Sequence, residues 1–200
     1  MKKYTLTFIT LFISVQIWGQ HVIVVEKESN HVLLNKKGPE IKATTLSGKP
    51  FKLSDFKGKT VILHIWSLSC AACFKELPDL NKITETYRDK GVIIISLMDN
   101  TKEELLKEVR IKNESAYTLR KKTFKNVVID FQIIPNAKAL IKTYTSQVAF
   151  PQTFFINKDG IVKDYSYGYI QSYEGIPGMI SNIDDLKERI DKIISTDKTR

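Results

Sequence analysis

Val61-Ile-Leu-His-Ile-Trp-Ser-Leu-Ser-Cys70-Ala-Ala-Cys73-Phe-Lys-Glu76 runs from a β-favouring apolar segment, through a short turn, into two closely spaced cysteines. Val61 to Trp66 has the length and composition of a buried strand. Ser67 to Ser69 has turn character, although Leu68 is apolar. Cys70 and Cys73 enclose two alanines and lead into a segment with helical character. A strand feeding a Cys-x-x-Cys at a helix start reads as a dithiol redox site.

Downstream, Leu77, Leu80, Ile83, Thr84 and Tyr87 recur at spacings of three and four, which predicts a helix from Ala71 to about Lys90, capped by Gly91. Pro78 falls inside it and is expected to kink it. Val92 to Leu97 predicts a second buried strand. Thr101-Lys-Glu-Glu104 is a capping box for a helix whose apolar positions are Leu105, Leu106, Val109 and Ile111. Asn113 to Asn126 is polar and basic and reads as a loop or irregular insertion. Val127 to Phe131 is a candidate strand, and Asn136 to Tyr144 a helix. Phe150-Pro151 introduces a strand, Gln152 to Asn157, which turns at Asn157-Lys-Asp-Gly160 and pairs with Ile161 to Tyr167. A Gly- and Tyr-rich loop from Gly168 to Gly178 precedes an amphipathic helix on Ile183, Leu186, Ile190 and Ile193, and Ser195 to Arg200 is expected to fray.

Upstream, Ile41 to Leu46 and Phe51 to Leu53 flank Ser47-Gly48-Lys49-Pro50, a hairpin signal, and Ser54 to Lys59 is a second turn. Val22 to Val25 and Val32 to Leu34 could be short strands in a lead-in with no visible chemistry. The expected architecture is α/β: a central mixed sheet flanked by helices, with an N-terminal β-hairpin and a central insertion.

Two hundred residues, 42% apolar and 26% charged, suit one globular domain, here expected over residues 38–195 after a lead-in at 21–37 and before a tail at 196–200. The two cysteines are too close in sequence for their disulfide to constrain much unfolded-state entropy. His21, His31 and His64 are scattered, so no metal site is expected. Met1-Lys2-Lys3, a mostly apolar Tyr4 to Trp18 and Gly19-Gln20 match a secretory signal peptide over residues 1–20, with an uncleaved anchor as the alternative. The charge of +9 then falls to +7 once Lys2 and Lys3 are removed. Export argues against a nucleic-acid partner, and the basic cluster Arg120-Lys121-Lys122 with Lys125 reads as a solvated face.

Three segments together resemble the TlpA/ResA-like branch of the thioredoxin superfamily, the exported bacterial thiol–disulfide oxidoreductases. They are Gly48 to Lys59, Trp66 with Cys70-x-x-Cys73-x-x-Glu76-x-Pro78, and Phe150 to Gly160. The resemblance implies a thioredoxin-like fold and a redox role in the bacterial cell envelope, that is, in the periplasm. It also implies apocytochrome c as a candidate substrate and an inner-membrane thiol transporter as electron donor. The chain departs from the family at Ser69, where Trp is usual, and at Ala71-Ala72, where Glu-Pro or Gly-Pro is usual.

Cys70 is the candidate nucleophile, its thiolate favoured by the helix N-terminus, and Cys73 the resolving thiol. Glu76, on about the same helix face, could exchange a proton with Cys73 if buried; an exposed helix glutamate is the alternative. Pro151 resembles the family's cis-proline, orienting Phe150 to pair with an extended substrate. Phe150, Ser69 and Trp66 are the candidate substrate-facing residues, Trp66 packing beneath the site loop. His64 reads as core. No cofactor is expected beyond the Cys70–Cys73 disulfide, and the partners are protein substrates of a monomeric enzyme. Two alternatives stay open. A peroxidase would need Pro and Thr where Leu63 and Ser67 stand, and a non-catalytic module could use the fold for binding or metal carriage.

Overall fold

The computed structural model describes residues 31–113, 116–119, 127–147, 149–168 and 183–198. The proposed signal segment, the first ten residues of the lead-in, the Arg120–Lys125 cluster and most of the 168–178 loop lie outside them.

The chain enters through a hairpin of β1 (Lys42–Thr44) and β2 (Pro50–Lys52), with Ala43 opposite Phe51. Gly48 turns it at φ +91, a conformation that suits a residue without Cβ. The 3₁₀ turn Leu53–Phe56 then delivers β3 (Thr60–Trp66), every residue of which is buried. After the cysteines come α1 (Ala71–Tyr87), continuous through Pro78, and a 3₁₀ turn Arg88–Lys90 that ends at Gly91 in the left-handed region. β4 (Val92–Met98) runs parallel to β3, with His64 beside Ser96. Further on, β8 (Gln132–Ile134) adds parallel to β4, while β9 (Gln152–Ile156) adds antiparallel to β3 and β10 (Val162–Tyr167) pairs with β9. The five-stranded sheet therefore has the order β10-β9-β3-β4-β8.

Strand periodicity sorts the core into two layers. Ile62 and Trp66 of β3, with Val92, Ile94 and Met98 of β4, face α1 and α4 (Ile183–Lys198). Val61, Leu63 and Ile65 face the other way, onto α3 (Lys138–Tyr144) and the hairpin. His64 shares the parity of Ile62 and Trp66 and so lies under α1. This parity, rather than any local signal, decides which side chains can reach the dithiol.

Four expectations are corrected. The capping box at Thr101 and Glu104 forms, but α2 (Lys102–Glu108) stops there; Val109 and Ile111 belong to β5 (Val109–Ile111), and Leu106 and Ile111 are exposed. The expected irregular insertion contains β6 (Tyr117–Leu119), which pairs with β5 and with β7 (Val128–Ile129) in a separate three-stranded sheet. The candidate strand at 127–131 shortens to Val128–Ile129 and joins the small sheet, and the strand that reaches the main sheet, Gln132–Ile134, follows it. Finally, α4 continues to Lys198, three residues past the expected fraying point, where Asp197 accepts from Asn157 Nδ2 at 3.1 Å.

The described end of the lead-in is tied to the domain. Asn35 N–H donates to Val162 O and Gly38 N–H to Gly160 O, while the His31 ring sits 4.5 Å from Tyr165 and 4.8 Å from Phe154.

Candidate active site

The loop leaving β3 is pinned before it reaches the cysteines. Leu68 N–H donates to Asn100 Oδ1 at 2.9 Å, Ser69 N–H to Ser67 Oγ at 3.3 Å and Cys70 N–H to Ser67 O at 3.1 Å. Asn100 is held in turn, because its own carbonyl accepts from Asn136 N–H at 2.8 Å. The sequence places Cys70 at a helix start, and it is the N-cap of α1.

Cys70 and Cys73 are joined as a disulfide with Cα atoms 5.3 Å apart. Their surroundings differ. Cys70 is half-buried and its Sγ accepts from Cys73 N–H at 3.1 Å, one of the donors that a helix leaves unpaired in its first turn. Cys73 is fully buried in the α1-facing layer. An incoming sulfur nucleophile therefore meets Cys70, and the helix end favours negative charge on Cys70 once the bond is opened.

Glu76 lies one turn deeper on α1, fully buried. Burial, reinforced by the nearby Asp79 carboxylate, pushes its pKa up to about 8, so the carboxyl is largely protonated at neutral pH. Opposite it, His64 Nε2 lies 3.5 Å from Glu76 Oε2, and burial alone pushes the imidazole down to about 3. Neither side chain has another hydrogen-bond partner among the described residues. With both groups neutral, the contact is not an ion pair. The core reading of His64 is right about its burial but does not anticipate its neighbour.

Trp66 is corrected as a substrate-facing residue. It is fully buried, its Nε1–H donates to Ser96 Oγ at 3.1 Å, and Phe74 meets its ring edge-on at 5.5 Å. It supports the loop from beneath, while Ser69 is exposed and Phe150 half-buried, so both remain available to a partner.

The Phe150–Pro151 bond is cis. In the β3–β9 register Ile65 stands opposite Gln152, which puts Pro151 one step further, at the end of β3 where the cysteine loop leaves. Cys70, Leu68 and Phe150 pack against the same core layer. Gln152, fully buried, fixes the approach to this bond: its Nε2 donates to Ala149 O at 2.6 Å and Gln147 O at 3.3 Å, and its Oε1 accepts from Tyr165 Oη–H at 3.0 Å. Neither Gln152 nor Asn100 is among the site residues expected from the sequence. Gln152 carries one signal, a long polar side chain opening a strand that is apolar from Phe154 to Ile156; Asn100 carries none.

Leu63, where a peroxidase would need proline, points into the opposite layer.

Comparison with known proteins agrees with this geometry. The AhpC/TSA family model matches residues 34–165. Thiol-disulfide oxidoreductase ResA of Bacillus thuringiensis subsp. konkukian is 35% identical over 131 residues, 64% of this chain and 66% of that one. ResA of Bacillus cereus strain ZK / E33L is 34% identical over 152 residues, 75% and 78% of the two chains. The crystal structure of a putative thiol:disulfide interchange protein DsbE from Chlorobium tepidum superposes with a TM-score of 0.59 over 80% of this chain and 97% of that one, at 18% identity, a likeness of fold. The chain thus belongs to the AhpC/TSA family, and within it to the ResA-like thiol–disulfide oxidoreductases of the thioredoxin superfamily.

Proposed function

We propose that the protein reduces disulfides of exported proteins in the cell envelope, with apocytochrome c as the candidate substrate and an inner-membrane thiol transporter as the electron source. The unequal burial of the two cysteines carries this reading. In the reduced enzyme, Cys70 thiolate attacks a substrate disulfide; a Cys70–substrate bond forms and the first substrate sulfur leaves as thiolate. Cys73 then attacks Cys70 Sγ, the Cys70–Cys73 bond forms, and the second substrate sulfur departs with its electron pair. Glu76 is the acceptor for the proton that Cys73 loses, and it returns that proton when donor thiols reopen the disulfide. Phe150, held beside cis-Pro151, offers backbone to an extended substrate strand, and Ser69 borders it. The proposed signal segment, residues 1–20, supports export to the periplasm, and the enzyme acts as a monomer.

Cys73→Ala expressed in cells is expected to accumulate disulfide-linked partners on Cys70, released by reductant and absent from a Cys70→Ala/Cys73→Ala control. Recovery of no partner from an exported, folded variant, together with failure of the wild type to reduce insulin disulfides, would refute the reading.

A further inference from the structure

We propose that His64 is a positioning residue for Glu76, its imidazole N–H supplying the hydrogen bond that lets the buried carboxylate stand ionised beneath Cys73 and receive that thiol's proton. The proposal rests on the reading of Cys73 as the resolving thiol and Glu76 as its proton acceptor.

Glu76 is fully buried, and neither of its oxygens has a hydrogen-bond partner among the described residues. A buried carboxylate without a donor is strongly disfavoured, so an isolated Glu76 would be a poor base at neutral pH. Among the described residues, the polar group that approaches it is His64 Nε2, at 3.5 Å from Oε2. His64 is equally unusual, since both ring nitrogens are buried without any other partner. Two buried polar side chains, each lacking its complement and facing the other across the α1–β3 interface, form a pair that closes when the carboxyl loses its proton.

The remaining neighbours do not supply this bond. Beside His64 in the sheet stand Ser96 of β4 and Thr153 of β9, and neither hydroxyl is bonded to Glu76, whose oxygens have no partner among the described residues. On α1 itself Asp79 is negative and opposes ionisation of Glu76. From α4, packed on the same face, Arg189 is directed to Asp164 at 2.8 Å and to Asp185 at 3.1 Å. Among the described residues, His64 is therefore the donor that faces Glu76. The imidazole stays neutral throughout: it gives a hydrogen bond from Nε2–H and keeps its proton, while the proton that moves goes from Cys73 Sγ to the Glu76 carboxylate.

The step can be isolated. Reduced enzyme reacts with 5,5′-dithiobis(2-nitrobenzoate) in two phases: Cys70 attacks the reagent and releases one thionitrobenzoate, then Cys73 attacks Cys70 Sγ and releases the second. Stopped-flow absorbance from pH 6 to 9.5 reads each phase separately. In His64→Phe the pH midpoint of the second phase is expected to rise by about one unit, about tenfold in rate at pH 7, with the first phase as internal reference. His64→Gln, which keeps an amide N–H, is expected to recover most of that shift. Glu76→Gln should flatten the profile, and adding His64→Phe to it should change nothing further. A second phase in His64→Phe with the wild-type midpoint, while Glu76→Gln is impaired, would overturn the role of His64 alone. A wild-type profile in Glu76→Gln would overturn the proton-acceptor reading, and the absence of any second phase in wild type would overturn dithiol turnover itself.

Discussion

Replacing Glu76 by Gln is expected to change the shape of the stability–pH curve of the oxidised protein, not only its height. In the folded state Glu76 titrates near pH 8 against an ordinary 4.5, so the native protein holds its proton more tightly than the unfolded chain does. The stability this gives is complete below pH 4.5 and is lost at about 1.4 kcal/mol per pH unit as pH rises toward 8. His64 acts in the opposite sense. Its folded value of about 3, against 6.5, means that the native state favours the neutral ring; the corresponding stability is present above pH 6.5 and lost as pH falls toward 3. Between pH 4.5 and 6.5 the two slopes cancel, so the joint contribution of Glu76 and His64 is flat there and falls on both sides. Glu76→Gln removes one limb, leaving the His64 contribution, which climbs to pH 6.5 and levels off. Any cost of burying the amide is independent of pH and shifts the whole curve. The difference between variant and wild type should therefore grow by about 3 kcal/mol in favour of the variant from pH 5 to 7.5. Other titrating groups are common to both proteins and drop out of that difference. Urea denaturation of the oxidised proteins at half-unit pH steps and constant ionic strength measures it. Two curves separated by a constant amount would refute the burial argument, because they would mean that Glu76 is already ionised in the folded protein at neutral pH.

Gln152→Leu, close in volume, removes the anchors of the Gln147 and Ala149 carbonyls beside cis-Pro151. It is expected to raise KM for a protein disulfide several-fold while leaving the reaction with dithiothreitol near wild type; an equal loss with both would place its effect at the dithiol instead. In the reduced enzyme at neutral pH, iodoacetamide should modify Cys70 and spare the fully buried Cys73, as peptide mass analysis would report. Asn81 joins α1 to the small sheet, its Nδ2 donating to Val128 O and its Oδ1 accepting from Asp130 N–H at 2.9 Å. Asn81→Leu leaves both backbone groups without these partners and should lower unfolding free energy by about 1–3 kcal/mol in urea titration.

The main sheet was legible because its strands announce themselves locally. Val61–Trp66 and Val92–Met98 are apolar runs interrupted only by His64 and Ser96 and set between turn signals, and the Asn157–Gly160 hairpin carries its own turn residues. The small sheet was not legible. Its strands are two or three residues long, too short to display a period of two, and Val109 follows Leu105 and Leu106 at spacings that a helix would also use. What makes them strands is pairing with residues far along the chain, such as Ile129 opposite Tyr117. The site divides in the same way. Cysteine spacing, Glu76 and Phe150-Pro151 could be read from residue type and position. The contact of His64 with Glu76 depends on strand parity and helix packing together. The anchoring by Asn100 and Gln152 depends on which backbone groups happen to lie within reach.

The hydrogen bond from Asn136 N–H to Asn100 O closes the neck of the whole excursion that carries α2 and the small sheet. Because the two ends of that excursion are fastened to each other, and β8 just before Asn136 is held in the main sheet, the part from α2 to β7 can lengthen, shorten or be exchanged without moving either end. The same asparagine holds Leu68, so the neck is also where the excursion meets the cysteine loop. The fold thus separates a region free to diversify from a site that must keep its shape, and a single residue marks the border.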